Sequence, residues 1–120
     1  GALDSSSYSV VDNSYFTNHY STEDSNEKVQ SFLKKYREKY NEEPTAFSAL
    51  AYDTVYVLKN AIDKAGTTDK TELTKAIKAS DMDGVTGHLT FDENNNPIKA
   101  VTIIKVQDGK YIFDSVVETK

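Results

Sequence analysis

Residues 45–66 read TAFSALAYDTVYVLKNAIDKAG, and this stretch decides the fold. Phe47, Leu50, Ala51, Thr54, Leu58, Ala61, Ile62 and Ala65 recur at helical period. The spacing predicts a long helix over about Thr45–Ala65. Val55 and Val57 widen its apolar face, so the helix is expected to pack on two sides. Gly66 supplies a residue that turns left-handed at no steric cost and ends the helix. A long helix that is apolar on two sides needs neighbours, and the flanking sequence supplies some of them.

Upstream, Val29, Phe32, Leu33, Tyr36 and Tyr40 form one apolar stripe, which predicts a helix from about Ser25 to Tyr40. Asp24 and Glu27 have the spacing of a capping box ahead of it. Lys34, Lys35, Arg37, Glu38 and Lys39 fill the opposite face, and the basic ones oppose the negative end of the helix dipole. Asn41 is a left-handed terminator, and Pro44 forbids continuation. Downstream, Asp69 and Glu72 form a second capping box for a short helix ending near Ala79, with Leu73, Ala76 and Ile77 inward.

After Gly84 the period changes to two. His88–Phe91 reads as a strand, residues 92–97 as a turn, and Ala100–Gln107 as a strand. In that strand Val101 and Ile103 share one face, Ile104 and Val106 the other. Asp108-Gly109 is a two-residue hairpin signal, so Tyr111–Val117 returns antiparallel. Tyr15–Tyr20, rich in aromatic and β-branched residues, suits an extended segment with no obvious partner nearby. Residues 1–14 are a serine-rich polar lead-in in which Val10-Val11 is a weak strand signal. The Gly1-Ala2 start, without Met, suggests a mature or excised piece, with Gly1-Ala2 as a cloning scar. The expected class is α/β: three helices followed by a small antiparallel β meander. Its apolar helix faces exceed what this chain covers, which points to part of a larger protein.

The 120 residues carry a formal charge of -5 and are 38% hydrophobic. One domain of ordinary size fits that length. The acidic balance argues against nucleic acid and against an anionic membrane surface. Without cysteine, disulfides, thiolate metal sites and cysteine nucleophiles are excluded. The apolar runs are far shorter than the roughly 20 residues of a membrane helix, and no signal peptide is visible.

Candidate chemistry is sparse. Asp92-Glu93-Asn94-Asn95-Asn96 places side-chain oxygens as a calcium loop would, but Pro97 and Ile103 stand where that loop needs Gly and Glu. An Asx-type turn is the expectation. His19 and His88 are the only imidazoles, each without a second ligand nearby in sequence. No nucleophile elbow and no glycine-rich phosphate loop is present. No catalytic residue, metal or cofactor is therefore expected, and the chain is read as not an enzyme. Phe47, just after a Pro at a helix start, is placed either to wall a ligand cleft or to serve as a core staple.

Several stretches together resemble a known family. These are Tyr15–Ser21, Phe32–Tyr40, Glu43-Pro44, Ala46–Asp53, Ala61–Gly66 and Asp83–Glu93, in that order and spacing. The chain is similar to the C-terminal third of type I periplasmic-binding-like proteins. More narrowly, it resembles the branched-chain amino-acid substrate-binding proteins of ABC importers. The resemblance implies a fragment of a two-lobed clamp whose chain crosses between lobes three times. Residues 15–83 would be the helical part of the first lobe, and residues 84–120 a crossover strand and β hairpin of the second. Tyr15, Phe16, Thr17, His19 and Tyr20 would lie in one hinge crossing, Gly84 and Gly87 in the last. Phe47 would wall the cleft against an aliphatic side chain, without the hydroxyl a Tyr would add.

Asn41 and Asn95-Asn96 stand where the family has Gly, which left-handed Asn tolerates. The family's first two-thirds, with its grips on the ligand's α-carboxylate and α-amino groups, have no counterpart here. The chain alone is thus expected to bind amino acids poorly. The implied parent takes a leucine-, isoleucine- or valine-like ligand, docks on a membrane ABC permease, and works outside the cytoplasm, in a periplasm or as a Gram-positive lipoprotein. Pairing or swapping with a second copy to cover the apolar helix faces is a further expectation. Alternatives are an independent interaction domain, a receptor for another small ligand, and a small hydrolase using His19 or His88.

Overall fold

The computed structural model describes residue 7 and residues 9–118. Most of the serine-rich lead-in, with Gly1-Ala2 and Tyr8, lies outside the described residues. Val10 and Val11 sit in turns rather than a strand, Val10 N–H donating to the Ser7 carbonyl. Polar neighbours offer that backbone local partners, and the weak strand signal loses to them.

The chain runs β1 (Tyr15–Asn18), α1 (Glu27–Tyr40), α2 (Ala46–Ala65), α3 (Lys70–Lys78), then β2 (Met82–Gly84), β3 (Gly87–Phe91), β4 (Pro97–Lys99), β5 (Val101–Gln107) and β6 (Lys110–Val117). The strands make two antiparallel sheets, ordered β1-β5-β6 and β2-β3-β4. The extended segment expected to lack a partner pairs with β5, Tyr15 opposite Lys105 and Asn18 opposite Thr102. Asp108 and Gly109 both take positive φ in the β5–β6 hairpin. The register slips between Ile103 and Ile104, where β6 carries one extra residue, Asp114. Thr102, Ile104 and Val106 share the buried face of β5.

Helix ends follow side-chain capping. α1 begins two residues later than its stripe predicts, because Asn26 rather than Asp24 accepts from the Lys28 N–H. Asp24 instead accepts from the Asn26 N–H, so the expected Asp24–Glu27 box does not form. Asn41, at φ 52°, ends the helix as expected. Thr45 caps α2 and trades hydrogen bonds reciprocally with Ser48. Asp69 caps α3 through the Thr71 and Glu72 N–H groups, while the Glu72 carboxylate turns to Lys75 instead of closing its box.

Tyr20, Val29, Phe32, Leu33, Ala49 and Val85 form the core where α1, α2 and the β2–β3 tip meet. Phe32 lies 5.0 Å from Tyr52 and meets Tyr20 edge-on at 6.2 Å. On α2 the buried row is Ala49, Asp53, Val57 and Ala61. This corrects the stripe read from residue type, whose Phe47, Ala51, Thr54 and Leu58 are exposed, as is Val55. The alanines let neighbouring backbone come close, and the bulkier Phe47, Val55 and Leu58 are left largely outside.

Candidate functional site

Two connections join the β1-β5-β6 sheet to the rest of the molecule. One runs from β1 through residues 19–26 to α1, and the other is the single residue Ala100 between β4 and β5. They pass close together. A Cβ built on Gly87 would lie 3.6 Å from that of Ala100. The Lys99 ammonium donates to the Thr86 hydroxyl. Burial lowers the Lys99 pKa, and the charge of Asp53 opposes that shift. Burial also lowers the pKa of His19, helped by the Lys99 charge. His19, Thr86, Gly87, Lys99 and Ala100 thus converge on one junction.

Next to the junction lies a buried carboxylate. Asp53 is only 6% exposed, although an aspartate in a helix interior normally faces water. Its Oδ1 accepts from the Val85 N–H at 2.8 Å. Its Oδ2 accepts from the Thr86 N–H at 2.8 Å and from the Thr86 hydroxyl at 2.7 Å. Val85 and Thr86 form the two-residue tip between β2 and β3. Such tips favour Asn and Gly, and these two residues take no positive φ. Their paired N–H groups are satisfied by the carboxylate, which in turn escapes the penalty of unpaired burial. A Cβ on Gly84 would meet Asp53 Oδ2 at 2.5 Å, so glycine is required there by close approach.

Alongside Asp53 an open cleft of about 590 Å³ separates the start of α1 from α2 and β2. Tyr52, Tyr56 and Met82 line it, with Glu27, Lys28 and Asp83 among its polar groups. The Tyr52 and Tyr56 hydroxyls share a hydrogen bond at 3.2 Å. That bond, then burial, pushes the Tyr52 phenol up to about 12. Across the hairpin, His88 Nδ1 lies 2.7 Å from Asp83 and Nε2 lies 3.4 Å from Asp81. The Asp83 bond raises the His88 pKa and lowers that of Asp83. Both ring nitrogens of His88 thus face exposed carboxylates.

The expected site residues fall in three places. His19, Tyr20, Gly84 and Gly87 lie at or beside the junction. Tyr20 is buried and donates its hydroxyl to the Pro44 carbonyl at 2.6 Å. Tyr15, Phe16 and Thr17 belong to β1, on the far side of the junction. Phe47 is 81% exposed on the first turn of α2 and lines neither the 590 Å³ cleft nor the smaller one of about 140 Å³ between α2 and α3. The turn at residues 92–97 is of Asx type, Asp92 accepting from the Asn94 and Asn96 N–H groups. Sequence reasoning missed Asp53. Its signal was the row Ala49, Val57, Ala61, which it interrupts at the same four-residue spacing.

A family model described as periplasmic binding protein matches residues 2–110. Among solved structures, the chain resembles a leucine binding protein, LivK, of Thermotoga maritima, at 36% identity and a TM-score of 0.74. It resembles the branched-chain amino acid transporter substrate binding protein LivJ of Streptococcus pneumoniae, solved with isoleucine, at 37% identity and a TM-score of 0.76. Each match covers 90% of this chain and 31% of that one. A solute binding protein of an ABC transporter from R. palustris, solved with benzoate, shares the fold at 18% identity and a TM-score of 0.75, covering 95% of this chain and 34% of that one. The chain therefore spans about a third of the length of these relatives.

Proposed function

Because this chain belongs to the periplasmic binding protein family, we propose that it is the C-terminal part of a solute receptor that feeds an ABC importer with branched-chain or other hydrophobic amino acids. The match over residues 2–110, with 36% and 37% identity to leucine- and isoleucine-associated receptors, carries this reading. The family is one of substrate-binding proteins, and on this reading the receptor works outside the cytoplasm. The partner is the importer's membrane permease.

Within this reading Phe47 walls the ligand cleft. Its exposure supports that role, since a core staple would be covered. The junction at His19, Tyr20 and Ala100, with Gly87 packed beside it, serves as part of the hinge. Closing the lobes there would bring Phe47 toward groups carried by the rest of the receptor.

The test is a chimera in which this chain replaces the matching third of the pneumococcal receptor. The chimera is expected to bind isoleucine in calorimetry. Phe47→Ala in it should weaken binding about tenfold, the scale of a lost apolar wall contact. A folded chimera that binds no aliphatic amino acid overturns the reading. One that prefers benzoate moves the receptor to the aromatic-acid class.

A further inference from the structure

We infer that Asp53 is a positioning residue of the clamp: it locks the β2–β3 tip to α2, so that Gly84 travels with the helices and bending falls at His19–Tyr20 and Lys99–Ala100. The inference deepens the receptor reading above and rests on it for the meaning of the bend.

The lock is built from three hydrogen bonds of 2.7–2.8 Å on one buried carboxylate. Breaking them would strand two backbone N–H groups and a hydroxyl in a setting with little water. Gly84 sits so close to this carboxylate that a Cβ built on it would lie 2.5 Å from Oδ2, so the strand cannot move further toward α2. Val85 of the tip is also packed in the core that α1 and α2 build, and two exposed bonds add to that tie without carrying it. Lys28 donates to the Asp83 carbonyl at 2.7 Å. Lys78 donates to the Glu93 carbonyl at 2.8 Å, at the opposite end of the sheet. The helices and this sheet are therefore one body.

The other sheet is tied differently. Ala100 alone links β4 to β5, and residues 19–26 link β1 to α1. The bond from the Phe113 N–H to Glu23 spans the two bodies at 2.8 Å, but it is exposed, so water can replace it. Rotation about His19–Tyr20 and Lys99–Ala100 changes the angle between the bodies and leaves every bond of Asp53 intact. The Lys99 bond to Thr86 places the lock directly against this axis.

The chain has no cysteine, so paired spin labels can be placed at will. Labels at Val55→Cys and Asn94→Cys report within the proposed body, and labels at Val55→Cys and Lys110→Cys report across the bend. The first pair is expected to give a narrow distance distribution and the second a broader one. Asp53→Asn keeps the shape but offers an amide where one donor needs an acceptor. It should broaden the first pair and speed amide exchange at Val85 or Thr86 about tenfold. The buried α1 amides of Phe32 and Leu33 should keep their protection.

A first pair as broad as the second in the unsubstituted chain overturns the inference. So does Asp53→Asn with unchanged exchange at the tip, or with equal loss in α1. Should Asp53→Asn fail to fold, Thr86→Val decides, read against Lys99→Met: both lose the Lys99–Thr86 bond, but only Thr86→Val removes one of the three bonds of Asp53, and it must broaden the first pair more than Lys99→Met does. None of these readouts uses a ligand. The lock can fail while the isoleucine chimera binds, and the chimera can fail while the lock stands.

Discussion

Gly84 and Asp53 form a pair whose energies are not separable. A methyl on Gly84 would need the space of a carboxylate that three donors hold still. Gly84→Ala is therefore expected to destabilise the chain by about 1–3 kcal/mol, the range of an overpacked core. Asp53→Ala should cost about 3 kcal/mol or more, since it strands buried donors. In the double variant the alanine at 84 finds room, so the two losses should sum to less than their parts in urea unfolding. Strict additivity would show that the contact carries no energy. Tyr20 gives a second prediction at this scale. Burial pushes its phenol up to about 12, so the folded state favours the protonated form. That contribution is full below the ordinary phenol value near 10 and is lost as pH climbs through about 12. Tyr20→Phe should cost about 1 kcal/mol at neutral pH by leaving the Pro44 carbonyl unpaired. It should also lack its share of the alkaline loss, read from urea midpoints at rising pH.

Elements were legible where a local rule decides them. Periodicity located α1, α2 and α3, and Asn41, Gly66 and Asp108-Gly109 ended or turned the chain as their positive-φ tolerance requires. The choice between capping residues was not legible, since Asp24 and Asn26 both carry suitable oxygens and only the folded geometry selects Asn26. The inward face of α2 was misread for a related reason. Residue type ranks Phe47 and Leu58 above Ala49 and Ala61, but burial depends on what stands opposite. The consequence can be measured. Phe47→Ala should change stability by no more than about 0.5 kcal/mol, as at an exposed site. Phe32→Ala, in the core, should cost about 3–5 kcal/mol. Equal losses in urea unfolding would mean that Phe47 is covered in solution.

At the scale of the whole molecule the chain is drawn out. Its radius of gyration is 16.7 Å, against about 13.6 Å for a compact chain of this length. Two bodies joined at a narrow junction account for the excess. The order and spacing of several stretches carried the family resemblance, and the match over residues 2–110 bears it out. The pairing of β1 with β5 was not legible, because strands so distant in sequence share no local signal. The Asp53 lock was hidden for the same reason, its donors lying on a hairpin beyond α3.

Ala100 fixes a distance and not a register. β4 and β5 belong to different sheets, so β5 takes its register from β1 and from the Asp108-Gly109 hairpin and not from the link before it. One residue inserted at Ala100 would leave Thr102, Ile104 and Val106 facing inward and would instead lengthen the short tether between the sheets. The same insertion beside Asn95 falls inside one sheet, in an exposed turn, and leaves that tether as it is. Spin labels at Val55→Cys and Lys110→Cys should therefore change their separation in the first insertion variant and keep it in the second; equal distributions would mean that Ala100 does not set the spacing.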